Sequence, residues 1–184
     1  MLRHELANGY ALRLLEEADA DELHATVLAN RAHLERWMPW VHLHDAGPPA
    51  ALDFIRDSRR RLAANDGLQT AVVAPDGALA GVAGFHAVNW GHRTTSIGYW
   101  LAEAHTGRGT MTLAVRALLD LAFGPWALHR VEIRAAPDNV RSRAIAERLG
   151  FRREGLLREV ELVGDRRLDH VVYGRLVTDE PPAG

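Results

Sequence analysis

The chain has 184 residues, of which 47% are hydrophobic and 25% charged, and its formal net charge is -2. This balance is typical of one globular domain, because no run approaches the roughly 20 apolar residues that span a bilayer, and no dense basic block favours nucleic acid as a partner. Cysteine is absent, which excludes disulfides, thiolate catalysis and cysteine-ligated zinc. The first residues contain no apolar segment typical of a signal peptide, so we expect a cytoplasmic protein with no membrane partner.

The first half of the chain alternates between a hydrophobic period of two, typical of strands, and one of about 3.6, typical of helices. Its predicted strands lie at 10–15, 68–74, 78–88 and 94–101. Its predicted helices lie at 19–37, with a break near Asn30, and at 49–64. Pro49 suits the first position of the second helix, and Pro75-Asp-Gly77 predicts a hairpin.

The second half begins with the clearest helix, in which apolar residues from Met111 to Phe123 form one stripe at helical spacing. Asp138 or Asn139 caps a further helix, which runs to Leu149. The remaining strands are predicted at 131–135, 151–162 and 168–177. Interleaved helices and hairpins predict a mixed sheet flanked by helices, in one domain over 1–177 with a disordered tail at 178–184.

A glycine-containing turn, Thr106-Gly-Arg-Gly-Thr110, joins the strand that ends at Leu101 to the helix that begins near Met111. In such a unit several backbone N–H groups point to one place and the helix N-terminus adds partial positive charge, which is typical of a phosphate or pyrophosphate site. The turn is neither a Walker A loop nor a complete dinucleotide fingerprint. Taken alone, it is equally typical of a tight connection before a helix.

Four segments, taken in order, resemble the GNAT superfamily of acyl-CoA N-acyltransferases, and within it the branch of the RimJ and RimL ribosomal-protein N-terminal acetyltransferases. They are Gly98–Leu101, Gly107–Thr112, Leu128–Glu132 and Asp138–Phe151. Of the family's loop pattern, Gln/Arg-x-x-Gly-x-Gly/Ala, this chain keeps Gly109 but has Thr106 first and Met111 last. The resemblance implies a GNAT fold: a mixed α/β architecture whose central, mostly antiparallel sheet of about seven strands has a V-shaped splay and is flanked by about four helices.

The resemblance also implies acetyl-CoA as the cofactor and suggests where it binds. Its pyrophosphate would lie on the glycine loop, formed by Gly107, Arg108, Gly109, Thr110, Met111 and Thr112. Its pantetheine arm would pair with the strand edge at Trp100, Leu101 and Ala102, where the strand splays from the one at 131–135. A backbone N–H there would stabilise the oxyanion, and Asn139 would hydrogen-bond the pantetheine.

Transfer of an acyl group from a thioester to an amine needs a neutral amine, a stabilised oxyanion and a proton for the departing thiolate. By resemblance to RimL-type enzymes, Ser142 is the candidate acid and Glu161 the candidate base, acting through water. Each also has a structural interpretation, Ser142 as a first-turn residue bonded to the backbone and Glu161 as a surface carboxylate or electrostatic contact. His86 is an alternative base.

Three tryptophans are candidate walls of the acceptor site. Trp37 and Trp40 resemble a Trp-x-Pro-Trp element that lines the acceptor groove in this branch, and we expect Trp90 to join them. Each could instead belong to the hydrophobic core. The histidines show no metal-ligand spacing, so we predict no metal site.

These features predict an enzyme that transfers acetyl from acetyl-CoA directly to a primary amine in a ternary complex. The first choice of acceptor is the N-terminal α-amine of a peptide or protein, and a homodimer is one option for assembly. A small-molecule acceptor (a polyamine, amino acid or aminoglycoside-like amine) is an alternative within enzymes. A non-catalytic acyl-CoA-binding module is the alternative outside them.

Overall fold

The computed structural model describes residues 3–180, which form an eight-stranded sheet with helices packed on both faces. The strands are β1 (Arg3–Glu5), β2 (Ala11–Leu14), β3 (Leu68–Val73), β4 (Leu79–Phe85), β5 (Thr94–Leu101), β6 (Arg130–Ala135), β7 (Arg152–Val163) and β8 (Arg166–Leu176). The helices are α1 (Ala20–Ala29), α2 (Arg31–Leu34), α3 (Pro49–Ala63), α4 (Thr110–Phe123) and α5 (Val140–Arg148), with 3-10 turns at Glu17–Asp19, Val41–Ala46 and Glu103–His105.

The strand order is β1-β2-β3-β4-β5-β6-β8-β7, and only the β5–β6 pair is parallel in the described sheet. That pair is joined by the helical crossover that parallel strands require, here α4. β5 and β6 pair only where they begin, from Thr94 opposite Arg130 to Ile97 opposite Ile133. Further along, β5 pairs with β4 and β6 with β8, so an opening separates the two strands. The predicted splay is confirmed.

The sheet has a hydrophobic cluster on each face, because successive residues of its central strands point in opposite directions. Val72 packs in the cluster with α4, whereas Ala71 and Val73 pack in the cluster with α1 and α3. The predicted stripe of α4 is buried, through Met111, Ala114, Val115, Leu118, Leu119 and Ala122. Helices therefore cover both faces of the central strands, and the open edge of β5 lies between the two layers.

The structure adds one strand to the predicted elements, divides the first predicted helix at the expected break and shortens one strand. β1 was not predicted, because its three residues are all exposed and carry no hydrophobic period; it forms by pairing with β2, which gives eight strands instead of about seven. The helix predicted over 19–37 is two helices, since Asn30 (φ -110°, ψ 15°) leaves helical geometry, as the predicted break indicated. β4 ends at Phe85, three residues before the predicted 88.

The end of the chain is held to β8 as far as Asp179. The Asp179 carboxylate accepts a hydrogen bond from the Leu176 N–H at 2.8 Å and forms an ion pair with Arg152 at 3.1 Å. Of the tail predicted at 178–184, residues 178–180 therefore begin in an ordered turn, and 181–184 lie outside the described residues. Within residues 3–180, no helix combines the length and the apolar character needed to cross a membrane.

Candidate active site

The glycine loop before α4 presents an unsatisfied row of backbone donors. Gly107 (φ 76°) and Gly109 (φ 73°) are left-handed, and a Cβ on either would meet nothing within 4 Å, so backbone conformation alone requires glycine and the space above the loop is open. In the part of the chain that the structure describes, none of the six N–H groups from Gly107 to Thr112 donates a hydrogen bond. Gly109 also supplies no side-chain cap. These donors at a helix N-terminus are free to bind an anion.

The side chains of the loop are mostly engaged within the protein. Arg108 folds back and donates to the Ala104 carbonyl at 3.1 Å. Thr110 accepts a hydrogen bond from the Asn8 amide at 2.8 Å. Arg141 of α5, which the sequence analysis did not select, lies 3.5 Å from the Thr106 hydroxyl and brings an exposed cation beside the loop. The loop therefore offers backbone donors first, with Arg141 as an additional positive charge.

The open edge of β5 presents Leu101, as expected, but not Trp100 or Ala102. The Ala102 N–H donates to Ala80 at 2.8 Å and the Ala102 carbonyl accepts from His105 at 3.0 Å, so neither backbone group of Ala102 is free. Because hydrogen-bonding direction alternates along an antiparallel strand, the backbone of Trp100 also faces β4, while the backbones of Tyr99 and Leu101 face the opening. Geometry thus favours Tyr99 and Leu101 over Trp100 and Ala102 as backbone partners of an extended ligand.

A cavity of about 700 Å³ lies at this opening and brings together residues from distant parts of the chain. Its polar lining includes Asn139, Ser142, Glu161, His86, His170 and Arg134. Its apolar lining includes Trp37, Trp40, Trp100, Phe54 and Val160. The turn between β7 and β8 is tied to the segment that carries Trp37, because Arg166 donates to the Arg36 carbonyl at 2.9 Å.

Ser142 and Asn139 meet at the start of α5. The Asn139 side-chain oxygen accepts from the Ser142 N–H at 3.2 Å and caps the helix, which leaves the Asn139 amide N–H₂ available as a donor. The Ser142 hydroxyl lies 3.0 Å from the Tyr99 hydroxyl, and either can be the donor. Burial raises the pKa of Tyr99 to about 12, against the opposing effect of the Ser142 hydrogen bond. Tyr99 therefore stays protonated at neutral pH and can support the Ser142 hydroxyl.

Glu161 reaches the cavity from β7 and is paired with a histidine. Its Oε2 lies 3.1 Å from Nε2 of His170 on β8, and their side chains are 31% and 15% exposed. His86 contributes to the same cavity and contacts the Ser96 hydroxyl through Nδ1 at 3.0 Å. Although His86 as a residue is exposed, its ring is recessed against Gly98, and burial, followed by the charges of Arg61 and Arg134, lowers its pKa. A neutral His86 can accept a proton, so both candidate bases lie in one cavity.

The three selected tryptophans do not converge. Trp37 and Trp40 line the cavity, and the Trp40 ring lies 5.9 Å from the Trp100 ring and 5.8 Å from that of His44. Trp90 lies outside the cavity lining, packs against Trp126 at 5.9 Å between ring centroids and donates from its indole to the Asn65 carbonyl. The expectation that Trp90 joins the groove was therefore wrong. Among the described residues, no three His, Asp or Glu side chains cluster as metal ligands.

Comparison with known proteins places this geometry in a family. Residues 10–152 match the family described as acetyltransferase (GNAT) domain. The chain belongs to the GNAT acetyltransferases. YdaF of Bacillus subtilis, provisionally named a ribosomal N-acetyltransferase, is 34% identical over 165 residues, which cover 90% of each chain. The ribosomal-protein-serine acetyltransferase of Escherichia coli is 25% identical over 182 residues, covering 96% of this chain and 97% of that protein.

A solved structure agrees with this assignment. Mycobacterium smegmatis RimJ in complex with CoA-disulfide is 30% identical, has a TM-score of 0.86, and the match covers 95% of this chain and 86% of that one. The GNAT fold and the acetyltransferase class predicted from the sequence are confirmed. In this acetyltransferase, three residues of interest escaped the sequence analysis: Tyr99, Arg141 and His170. Only strand register and helix placement bring them to the site, although Tyr99 lies inside the segment Gly98–Leu101 that carried the resemblance.

Proposed function

We propose that this GNAT acetyltransferase transfers the acetyl group of acetyl-CoA to the N-terminal α-amine of a peptide or protein. One observation carries the proposal: the free donors at Gly107–Thr112 and the open edge of β5 lead to a cavity that contains both Ser142 and Glu161. Acetyl-CoA requires backbone N–H donors for its phosphates and an open strand edge for its amide-containing pantetheine arm. Transfer to an amine requires an acid and a base.

The cofactor would lie along these features in order. The pyrophosphate would accept hydrogen bonds from the loop N–H groups, and Arg141 would add charge. The pantetheine arm would pair with the open edge of β5, and the free amide N–H₂ of Asn139 would donate to one of its carbonyls. The N–H of Tyr99 or Leu101 would then polarise the thioester carbonyl, since preformed donors aimed at an oxyanion contribute strongly to catalysis.

The chemistry would be direct aminolysis. The amine nitrogen attacks the thioester carbon, the C–N bond forms, and the C–S bond breaks as the tetrahedral intermediate collapses. Glu161 would take the proton that the amine loses, directly or through water. Ser142, supported by the Tyr99 hydroxyl, would give a proton to the departing thiolate. A base and an acid of this kind contribute about 10²- to 10⁴-fold each.

An α-amine suits this site for two reasons. Its pKa in model peptides is about 8, against about 10.4 for lysine, so a larger fraction is neutral at pH 7 and a carboxylate base is sufficient. The half-buried Trp37 and Trp40 offer an apolar wall for the first residues of a peptide. The relatives named for ribosomal proteins, among them the ribosomal-protein-serine acetyltransferase of E. coli, support a protein acceptor and a cytoplasmic location.

A homodimer through β7 is part of the proposal. β7 is an edge strand of the described sheet, and its Leu156, Val160 and Leu162 are 44%, 47% and 52% exposed. A long exposed edge with apolar side chains is prone to pair with another strand, and a second β7 would continue the sheet. Sedimentation of wild type and Leu162→Glu tests this; equal, monomeric behaviour of both would contradict it.

The function is tested by thiol release from acetyl-CoA with a panel of acceptors: peptides with free N-termini, polyamines and aminoglycosides. We expect turnover with the peptides. Faster turnover of a polyamine or an aminoglycoside would favour the small-molecule alternative instead. Binding of CoA without turnover of any acceptor would favour the non-catalytic module.

A further inference from the structure

Glu161 is held by a specific partner. Within residues 3–180 its carboxylate forms one side-chain contact of hydrogen-bonding length, to His170 Nε2 at 3.1 Å. The other charged or titratable groups that line the cavity are His44, His86, Tyr99 and Arg134. Arg134 is engaged by Glu132 at 2.9 Å, and His86 contacts Ser96. His170 is therefore the group placed to orient Glu161.

The backbone of β7 is irregular at this point. Leu157 pairs with His170 and Glu161 pairs with Leu168, so four steps along β7 match two along β8 and a bulge forms at 158–160. Glu159 in the bulge has φ 49°, a strained conformation for a residue with a side chain, and its N–H donates to the Asp169 carboxylate at 2.8 Å. Bulges beside active sites commonly re-aim a side chain, and strained residues cluster at such sites.

We propose that His170 is a positioning residue for the acetyl transfer, and that the bulge pinned by Asp169 sets the register that brings it to Glu161. The inference rests on the proposed role of Glu161 as the base. A carboxylate oxygen can only accept, so His170 donates from Nε2 to Oε2 of Glu161. Oε1 then remains open to the acceptor amine or to a bridging water. His170 itself exchanges no proton with substrate in this arrangement.

The contact has a measurable consequence. Without His170, Glu161 loses a hydrogen bond to its charged carboxylate, which must meet the proton of the amine in a defined geometry. We expect this loss to lower kcat about ten- to hundred-fold. The KM for acetyl-CoA should not change, because the pair lies away from the glycine loop. His170→Leu removes the donor at similar volume. His170→Gln is the matched control, since its amide nitrogen can occupy the position of Nε2 and donate.

The experiment is a double-mutant cycle on kcat with acetyl-CoA and a short free-amine peptide, with thermal melts of each variant as the folding control. We expect His170→Leu to be slow, His170→Gln to recover most of the rate, and His170→Leu to cause no further loss in a Glu161→Gln background. Equal losses in both backgrounds, or no advantage of Gln over Leu, would overturn the positioning role alone. A wild-type rate for Glu161→Gln would instead overturn the proposed base, and the positioning role with it.

A second variant avoids the cavity. Asp169→Ala removes the acceptor of the Glu159 N–H, whereas Asp169→Asn keeps an acceptor oxygen. We expect the Ala variant to lower kcat several-fold, through a looser bulge, and the Asn variant to stay near wild type. If His170→Leu fails to fold, this pair decides the question: equal rates for Ala and Asn would overturn the role of the bulge.

Discussion

Gly109 is the position at which one substitution can separate the proposed cofactor binding from folding. It is the N-cap of α4, its φ is 73°, and the space where a Cβ would lie is empty. In Gly109→Asp, left-handed strain costs about 1 kcal/mol. We therefore expect a folded variant whose melting temperature is about 2–4 °C below that of wild type, with a carboxylate beside the anion site.

The loss of affinity follows from charge. If the new carboxylate lies about 5 Å from one phosphate charge, the repulsion is roughly 1 to 3 kcal/mol for dielectric values between water and a protein surface. That corresponds to a dissociation constant for CoA about 5- to 140-fold higher. The difference should shrink in about 1 M salt, where the Debye length falls to about 3 Å.

Calorimetry of CoA binding to wild type, Gly109→Asp and Gly109→Asn measures this effect. Asparagine has the same shape and also tolerates a left-handed backbone, so the Asp–Asn difference isolates the charge. We expect Asn to bind substantially tighter than Asp at low salt. Wild-type affinity for both variants would show that the pyrophosphate does not lie on this loop, whereas equal but weakened binding by both would show that the side chain, and not its charge, causes the loss.

Three further predictions concern the cavity. Ser142→Ala and Tyr99→Phe should each lower kcat without changing the affinity for CoA. Their effects should not add, because the two hydroxyls act as one unit, and stopped-flow or steady-state rates of the double variant test this. Trp37→Ala should raise the KM for a peptide, whereas Trp90→Ala, outside the cavity, should not; equal effects would argue against the groove. Burial, reinforced by His24, lowers the pKa of His44 below its usual 6.5, so the unfolded state takes up the proton first. Stability from keeping His44 neutral is full above about pH 6.5 and is lost as the pH falls from there towards the lower pKa of the folded state. His44→Asn should therefore flatten the decline in unfolding free energy below about pH 6.5, measured by urea melts; an unchanged slope would contradict it.

Local sequence signals predicted the elements that carry the proposed cofactor site. The two glycines of the loop, Gly107 and Gly109, and the apolar stripe of α4 are each formed by residues that are close together in the chain. Both features appear in the structure as expected. Asn139 likewise caps α5 as its residue type suggested. These features could be predicted without the sheet topology, because turn conformation and the apolar face of a helix depend on residues that are neighbours along the chain.

Long-range register explains what the sequence could not show. The contact between Glu161 and His170 depends on a two-residue slip between β7 and β8, which no local pattern encodes. Tyr99 meets Ser142 only because the start of α5 lies across the opening from β5. Trp90 was misplaced for the same reason. It lies in the connection between β4 and β5, from which we expected it to reach the groove, but its ring packs against Trp126, which lies beyond the end of α4.

The acceptor preference decides the central claim. All 22 basic residues counted as Lys and Arg are arginine, so the protein offers no side-chain amine of its own and background label is confined to its N-terminus. Two peptides matched in the remaining sequence serve as acceptors, one with a free N-terminus and no lysine, the other blocked at the N-terminus with a single lysine. Mass spectrometry of the products with acetyl-CoA should show one acetyl group on the free-terminus peptide and little on the blocked one. Preferential acetylation of the blocked lysine peptide would contradict the account.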